Sequence, residues 1–375
     1  MSKDSIRKLY IEPTSNCNFN CTMCPRNSWT NEIIGDMDLD TYQALINQAR
    51  EISSLDTIFF GGVAEPMSHK EIFKMVEMAK SLDVRVELIT NGSMINEETI
   101  EKLLKAGLDM LWFSIDSAHN DSYDLNVNDK DTGLSRAESN LLTFNYLKRT
   151  YNLNAELGIA FVAMKSNIED LPQIIRLGEV MGAKEIKISN IIPYEKEMQQ
   201  EMLYQKALTT MGFQDDFKKQ KQMVINLPVM DFDRIDSEIL PLLLKAGHSV
   251  KLGENTIVRK SGHCKFINDG SVFVRWDGEV CPCIALLHNS KAILHDTERQ
   301  IRFCSYGNIN RDSISAIWES EEYKEFRDKV KKFNFSPCTV CGGCSYIESN
   351  EEDCFGNLFP VCGGCLWAEG FAQCP

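Results

Sequence analysis

The sequence predicts an α/β chain, a partial (β/α)6 TIM-like barrel followed by a cysteine-rich region, and three observations carry that expectation. Strand and helix patterns alternate from Leu9 to about Ile192. The alternation stops over residues 196–262. The 14 cysteines are partitioned, with three before residue 25, none from there to residue 263, and eleven from Cys264 to Cys374. A packing role would scatter them, so two dense clusters mark two metal-bearing regions. The implied division is 1–195 for the barrel, 196–262 for a helical bridge and 263–375 for the cysteine-rich domain.

The strands are expected at Leu9–Pro13, Thr57–Gly62, Arg85–Asn91, Met110–Asp116, Ala155–Ala163 and Glu185–Ile191. Each is a short run rich in Ile, Val, Leu or Phe, as in parallel strands buried on both faces. Between them Leu39, Tyr42, Leu45, Ile46 and Ala49 recur at helical spacing, as do Ile72, Met75, Val76 and Ala79, then Ile100, Leu103 and Leu104. Asn96-Glu97-Glu98-Thr99 reads as a helix start and Gly107 as its stop. Repeated βα units imply a parallel sheet with right-handed crossovers, and six of them fit an open, partial barrel. In the bridge, Met198, Met202, Leu203 and Leu242–Leu244 suggest helices, the methionines serving as packing. Later, Ile314, Ile317, Trp318 and Phe326 mark one amphipathic helix over Ser313–Val330, and Asp277-Gly278 a hairpin turn between Val272–Trp276 and Glu279–Cys283.

Composition narrows the function. The net charge of −14 over 375 residues argues against a nucleic-acid partner and against an anionic membrane surface. No apolar run has transmembrane length and the start lacks a secretory segment, so a cytoplasmic chain is expected. A disulfide scaffold is not expected in a reducing compartment at this size.

The sharpest motif is Cys17-x-x-x-Cys21-x-x-Cys24, with no fourth cysteine before Cys264. Three soft thiolates on a short loop suit three irons of a [4Fe–4S] cube and leave one iron open. The alternatives are a zinc site, which would want a nearby paired set, and plain buried thiols. The motif follows a first strand and contains Phe19. It resembles the signature of the radical S-adenosylmethionine (SAM) superfamily. That resemblance implies that SAM chelates the open iron and that an electron from the cluster cleaves it to methionine and a 5′-deoxyadenosyl radical, which abstracts hydrogen from a substrate. It also implies the partial barrel.

Ligand-facing groups are expected at the carboxyl ends of barrel strands. Phe59-Phe60-Gly61-Gly62-Val63-Ala64-Glu65-Pro66 closes the second strand. Gly61 and Gly62 permit close backbone approach, and Glu65 can accept from an ammonium group, although a turn with a solvated glutamate reads the same way. The segment resembles the family's glycine-rich stretch near the SAM amino group. Asn91 ends the third strand, and Ser114 and Asp116 the fourth. Alone they are ordinary turn and cap residues; their joint placement is the stronger signal. Both positions resemble family sites near SAM. Val162 and Met164 suit an adenine ring or core packing equally. Arg136 reads as an exposed helix arginine, and among the histidines only His263, beside Cys264, draws attention.

The later cysteines are Cys264, Cys281, Cys283, Cys304, Cys338, Cys341, Cys344, Cys354, Cys362, Cys365 and Cys374. The run from Cys264 through Trp276-Asp277-Gly278-Glu279-Val280-Cys281-Pro282-Cys283, then Tyr306-Gly307-Asn308-Ile309, Ile317-Trp318 and Cys338-x-x-Cys341, resembles the SPASM domain. That extension holds two further [4Fe–4S] clusters in many radical SAM maturases. Cys344, Cys354, Cys362 and Cys365 depart from its usual spacing, so ligands are not assigned cluster by cluster; apart from Cys304, the set is carried as candidate metal ligands. Zinc on Cys338, Cys341, Cys362 and Cys365 is the alternative. The tail Cys362-Gly363-Gly364-Cys365-Leu366-Trp367-Ala368-Glu369-Gly370, with Gln373-Cys374-Pro375, resembles the radical SAM maturases associated with tungsten-cofactor oxidoreductases.

The implied cofactors are [4Fe–4S] clusters and SAM. The implied partners are an electron donor such as ferredoxin or flavodoxin and a protein, peptide or pterin-cofactor substrate. Two further readings compete with maturation of a tungsten oxidoreductase. One is a peptide maturase forming thioether or C–C crosslinks; that class often has a leader-binding domain, and here the first strand begins by Leu9. The other is a multi-cluster electron-transfer protein, which has no use for a missing fourth ligand. No catalytic residue is assigned.

Overall fold

A computed structural model describes residues 5–118, 134–205, 263–339 and 345–375, with backbone alone for 134–136 and for three short strands within 224–257. The six expected barrel strands form as β1 (Lys8–Ile11), β2 (Thr57–Phe60), β3 (Arg85–Thr90), β4 (Met110–Ser114), β5 (Glu156–Ala163) and β6 (Glu185–Asn190), each parallel to the next. Their crossovers carry α1 (Leu39–Ala49), α2 (Ile72–Lys80), α3 (Glu97–Lys105), α4 (Leu134–Thr150) and α5 (Leu171–Met181).

Local chemistry sets these boundaries. Asp38 caps α1 by accepting from Thr41 N at 2.7 Å. Asn96 and Thr99 form the expected reciprocal box at the start of α3. Gly107, at φ +91°, ends that helix in a conformation that other residues adopt at a cost. Side chains alternate across the sheet, one face toward the helices and one toward the barrel interior. Phe60 meets Tyr42 of α1, while Tyr10 stacks on Phe273 at 4.3 Å and tilts against Phe59 at 5.1 Å.

Three short strands, β7 (Val224–Leu227), β8 (Ser249–Leu252) and β9 (Asn255–Ile257), form a separate sheet in the segment expected as a helical bridge. Their β-branched Val, Ile and Thr favour extended backbone. The bridge otherwise contributes a 3-10 turn at Glu197–Glu201, and Leu242–Leu244 lie outside the described residues.

The cysteine-rich region opens with α6 (Lys265–Asn268) and the expected hairpin, β10 (Ser271–Val274) and β11 (Val280–Cys281), followed by a second hairpin, β12 (Ser290–Leu294) and β13 (Thr297–Ile301). The first hairpin does not stand apart from the barrel. β10 pairs parallel with β1, so the sheet has eight strands in the order β11-β10-β1-β2-β3-β4-β5-β6. All four β10 residues are buried, which suits an interior strand. The single helix expected over Ser313–Val330 is two, α7 (Ile314–Glu319) and α8 (Glu321–Lys332). Ser320 breaks it with extended backbone and caps α8 through Tyr323 N. A short α9 (Ser345–Ser349) precedes the tail. The tail then returns to the barrel: Asn190 N donates to Phe371 O at 3.1 Å and Tyr10 Oη to Pro375 O at 2.7 Å.

Candidate active site and metal centres

The loop between β1 and α1 carries Cys17, Cys21 and Cys24. Asn27 Nδ2 holds it by donating to Cys21 O at 2.9 Å, and the Tyr194 hydroxyl donates to Thr22 O. The three thiols line one cavity of about 310 Å³. Its wall includes Gly62 after β2, Glu65, Asn91 after β3, Ser114 and Asp116 at the end of β4, and Val162 of β5. These are the carboxyl ends of successive strands, where a parallel barrel presents its ligand-facing groups.

The electrostatics follow from burial. The Cys21 thiol is pushed up to about 12, chiefly by desolvation and then by Asp116, Cys24 and Cys17. Cys17 and Cys24 rise for the same first reason, and the Arg26 guanidinium opposes it at both. Arg26 Nε is buried without a hydrogen-bond partner. Three mutually repelling thiols beside an unspent buried N–H and a positive charge fit an anionic iron–sulfur cluster.

Glu65 is fully buried. Its Oε1 accepts from Met67 N and Thr90 Oγ1 at 2.9 and 2.8 Å, and its Oε2 from Asn91 N at 2.7 Å. Burial raises its carboxyl to about 7 against these three donors. It is therefore no solvated turn residue. Asn91 Nδ2 approaches Cys17 Sγ at 3.9 Å and donates to Asn18 Oδ1 at 3.1 Å. Asp116 Oδ1 accepts from Val162 N at 2.6 Å, and burial raises its carboxyl to about 6.

Two expected cofactor residues sit elsewhere. Gly61 is not in the cavity wall; a Cβ there would lie 2.3 Å from Phe59 Cε1, so its missing side chain serves packing. Met164 is buried in a satellite core with Ile191, Met202, Tyr204 and Phe371, and Val162 takes the wall position. The side chain of Arg136 lies outside the described residues, and His263 is exposed.

A second group of thiols is Cys264, Cys283, Cys362 and Cys365, which line one small pocket with Phe266, Phe326 and Trp367. Burial raises all four, and Cys362 is pushed further by Cys365, Cys264 and Cys283. Four sulfur donors with no carboxylate or imidazole in the wall fit a fully ligated cluster. This grouping divides the alternative zinc set, because Cys362 and Cys365 turn to Cys264 and Cys283. Cys338 has Cys354, Asp353 and Arg299 as its charged neighbours, and Cys354 is exposed. Cys341 and Cys344 lie outside the described residues. Cys281 is buried toward Cys304 and Cys283. Cys374 stands apart from the other thiols: it lines the large cavity, and its charged neighbours are Lys8, Lys187 and Lys265.

The sequence reading passed over His288. Its ring lines the cavity, stacks on Trp29 at 4.0 Å and lies between Glu12 and Glu32. No spacing signal links residues so far apart in the chain.

This fold and site define the class. The Radical SAM superfamily model matches residues 11–177, and the model of the SPASM iron–sulfur cluster-binding domain matches residues 264–345. The chain belongs to the radical SAM superfamily and carries a SPASM domain. Its cofactors are [4Fe–4S] clusters and SAM. It is 27% identical over 375 residues, 99% of this chain and 97% of the relative, to the tungsten-containing aldehyde ferredoxin oxidoreductase cofactor-modifying protein of Pyrococcus furiosus. It is 23% identical over 364 residues to the AdoMet-dependent heme synthase of Methanosarcina barkeri, covering 96% of this chain and 90% of the relative. A PqqA peptide cyclase of Gluconobacter oxydans matches at 26% over 182 residues, 48% of each chain. Among solved structures, native anSMEcpe with bound AdoMet shares the fold at TM-score 0.56 and 18% identity, with 97% and 96% of the two chains covered. No helix among the described residues is long and apolar enough to cross a membrane.

Proposed function

We propose that this chain is a radical SAM maturase that modifies a tungsten-dependent oxidoreductase or its pterin cofactor. The observation that carries the reading is the alignment with the tungsten-cofactor-modifying protein, which runs through barrel, bridge, SPASM region and tail alike. The cavity supports it, because loop, strand ends, second hairpin and tail all contribute to one wall.

In this reading Cys17, Cys21 and Cys24 hold the SAM-binding cluster. When reduced, that cluster supplies the electron that cleaves SAM. Arg26 offsets the charge of the three thiolates. Glu65 fixes the ends of β2 and β3 and presents a carboxylate to the SAM ammonium group. Asn91 orients the Cys17 side of the loop, while Ser114 and Asp116 offer hydroxyl and carboxylate oxygens to the ribose hydroxyls. Gly62 lets the backbone close on the ligand. Cys264, Cys283, Cys362 and Cys365 hold one auxiliary cluster. Cys338, with Cys354, Cys341 and Cys344, holds the second. A ferredoxin or flavodoxin delivers the electron, in the cytoplasm.

The test is anaerobic incubation of the reconstituted protein with SAM, a reductant and the immature tungsten oxidoreductase, followed by mass spectrometry of protein and cofactor. A mass change on either, dependent on SAM, is expected; SAM cleavage with both left unaltered would count against the substrate assignment. The half-length likeness to a peptide cyclase favours a second reading, crosslinking of a ribosomal peptide. A precursor-peptide gene beside this one, and its modification in the same assay, would favour it.

A further inference from the structure

The three-cysteine loop is pinned at both stems by one residue of the SPASM region. His288 Nε2 lies 2.9 and 3.0 Å from the two oxygens of Glu12, which follows β1 and leads into the loop. Its Nδ1 lies 2.8 Å from Glu32 Oε2, on the strand of chain that leaves the loop. The side chains of all three are nearly inaccessible, at 2% exposure for His288, 1% for Glu12 and 6% for Glu32. With an acceptor oxygen at each nitrogen, both ring nitrogens carry hydrogen, so the ring is a cation. The neighbours lock the arrangement. Asn289 donates to Glu32 Oε1 from its backbone N and its Nδ2, both at 2.7 Å. Trp29, also from the loop's outgoing arm, stacks on the ring.

We propose that His288 is a positioning residue for SAM chemistry, a cation shared by Glu12 and Glu32 that clamps both stems of the Cys17–Cys24 loop onto the segment following Cys283. This rests on the radical SAM reading of the loop and adds a coupling between that loop and the SPASM region. The charged groups around the ring are Glu12, Glu32, Arg275 at 3.8 Å from Glu32, Asp277 paired with Arg275, and the Cys281 thiol, which both Glu12 and Arg275 influence. Burial opposes the charge on His288, but the hydrogen bonds and charges of Glu12 and Glu32 win and hold its proton above the usual histidine range. The clamp is therefore complete at low pH and is lost as pH rises through that elevated value.

The test uses the full-length, anaerobically reconstituted protein. Its readout is the change that added SAM makes in the electron paramagnetic resonance spectrum of the reduced protein, titrated with SAM between about pH 6 and about pH 9. In the wild type, SAM affinity should fall at the alkaline end. His288→Gln should bind SAM roughly tenfold more weakly at neutral pH, with the alkaline fall gone, since a buried charged hydrogen bond is lost. Glu32→Gln keeps Glu12 and His288 in place and should move the alkaline midpoint down by about one unit. If His288→Gln does not fold, the Glu32→Gln midpoint decides. A midpoint unmoved in Glu32→Gln, or a wild-type profile in His288→Gln, would overturn the clamp alone. A wild-type protein whose spectrum never responds to SAM would overturn the radical SAM reading and the clamp with it.

Discussion

Glu65 Oε2 accepts a hydrogen bond from Asn91 N at 2.7 Å, so the carboxylate that closes the β2 turn also fixes the residue ending β3. Two adjacent strand ends thus share one buried charge. Its carboxyl, raised to about 7 by burial, is protonated in the fold at pH values where an unfolded glutamate is ionised. For such an acid, stability is greatest below the ordinary glutamate value and falls as pH rises from about 4.5 to about 7. Ligand binding should run the other way. A SAM ammonium group prefers the ionised form, so SAM affinity should tighten as pH rises through about 7. Equilibrium dialysis should show that limb in the wild type and its absence in Glu65→Gln. The amide of the variant also turns a donor toward Asn91 N or Met67 N, which should destabilise the fold by about 1–3 kcal/mol in chemical denaturation.

Gly62 should tolerate no side chain. Its φ is +132°, and an added Cβ would lie 3.0 Å from Glu12 Cγ and Oε1. Glu12 is held by His288, so it has little room to retreat. Gly62→Ala should therefore cost about 1–3 kcal/mol and lower the melting temperature by several degrees. An unchanged melting temperature would show that the turn relaxes freely.

The auxiliary thiols should separate from SAM cleavage. Iron and sulfide near twelve each per chain are expected for three cubes; replacing Cys362 and Cys365 with alanine should remove about four of each. Cleavage of SAM with a strong chemical reductant should persist, while turnover of the true substrate is lost. The same should hold for Cys338→Ala. Circular dichroism must show an intact fold, because metal binding and folding are coupled in small metal domains. Stoichiometric zinc with four to eight irons would instead indicate a mixed-metal domain.

The barrel was legible because its signals are local. Apolar runs such as Thr57–Phe60, the Asn96–Thr99 cap and the Cys17–Cys24 spacing each act within a few residues. Polar strand ends at Asn91, Ser114 and Asp116 were legible for the same reason. What escaped depends on long-range packing. Nothing near Ser271–Val274 says that it pairs with β1, and the joining of Glu12, Glu32 and His288 spans more than 250 residues. Gly61 and Met164 show the converse limit. A glycine beside a turn and a methionine after a strand look alike whether they face ligand or core, and here the Phe59 ring and the satellite core claim them. Ser320 broke an amphipathic pattern that continues in register across it, since capping depends on backbone angle rather than hydrophobic period.

The central claim is that the Cys17, Cys21 and Cys24 loop holds the cluster that activates SAM. The most direct measurement is 5′-deoxyadenosine formed by the anaerobically reconstituted, chemically reduced protein, compared with the variant in which all three cysteines are alanine. The wild type should produce 5′-deoxyadenosine, and the variant should lose about four irons and form none. Undiminished 5′-deoxyadenosine formation by the triple variant would contradict the account.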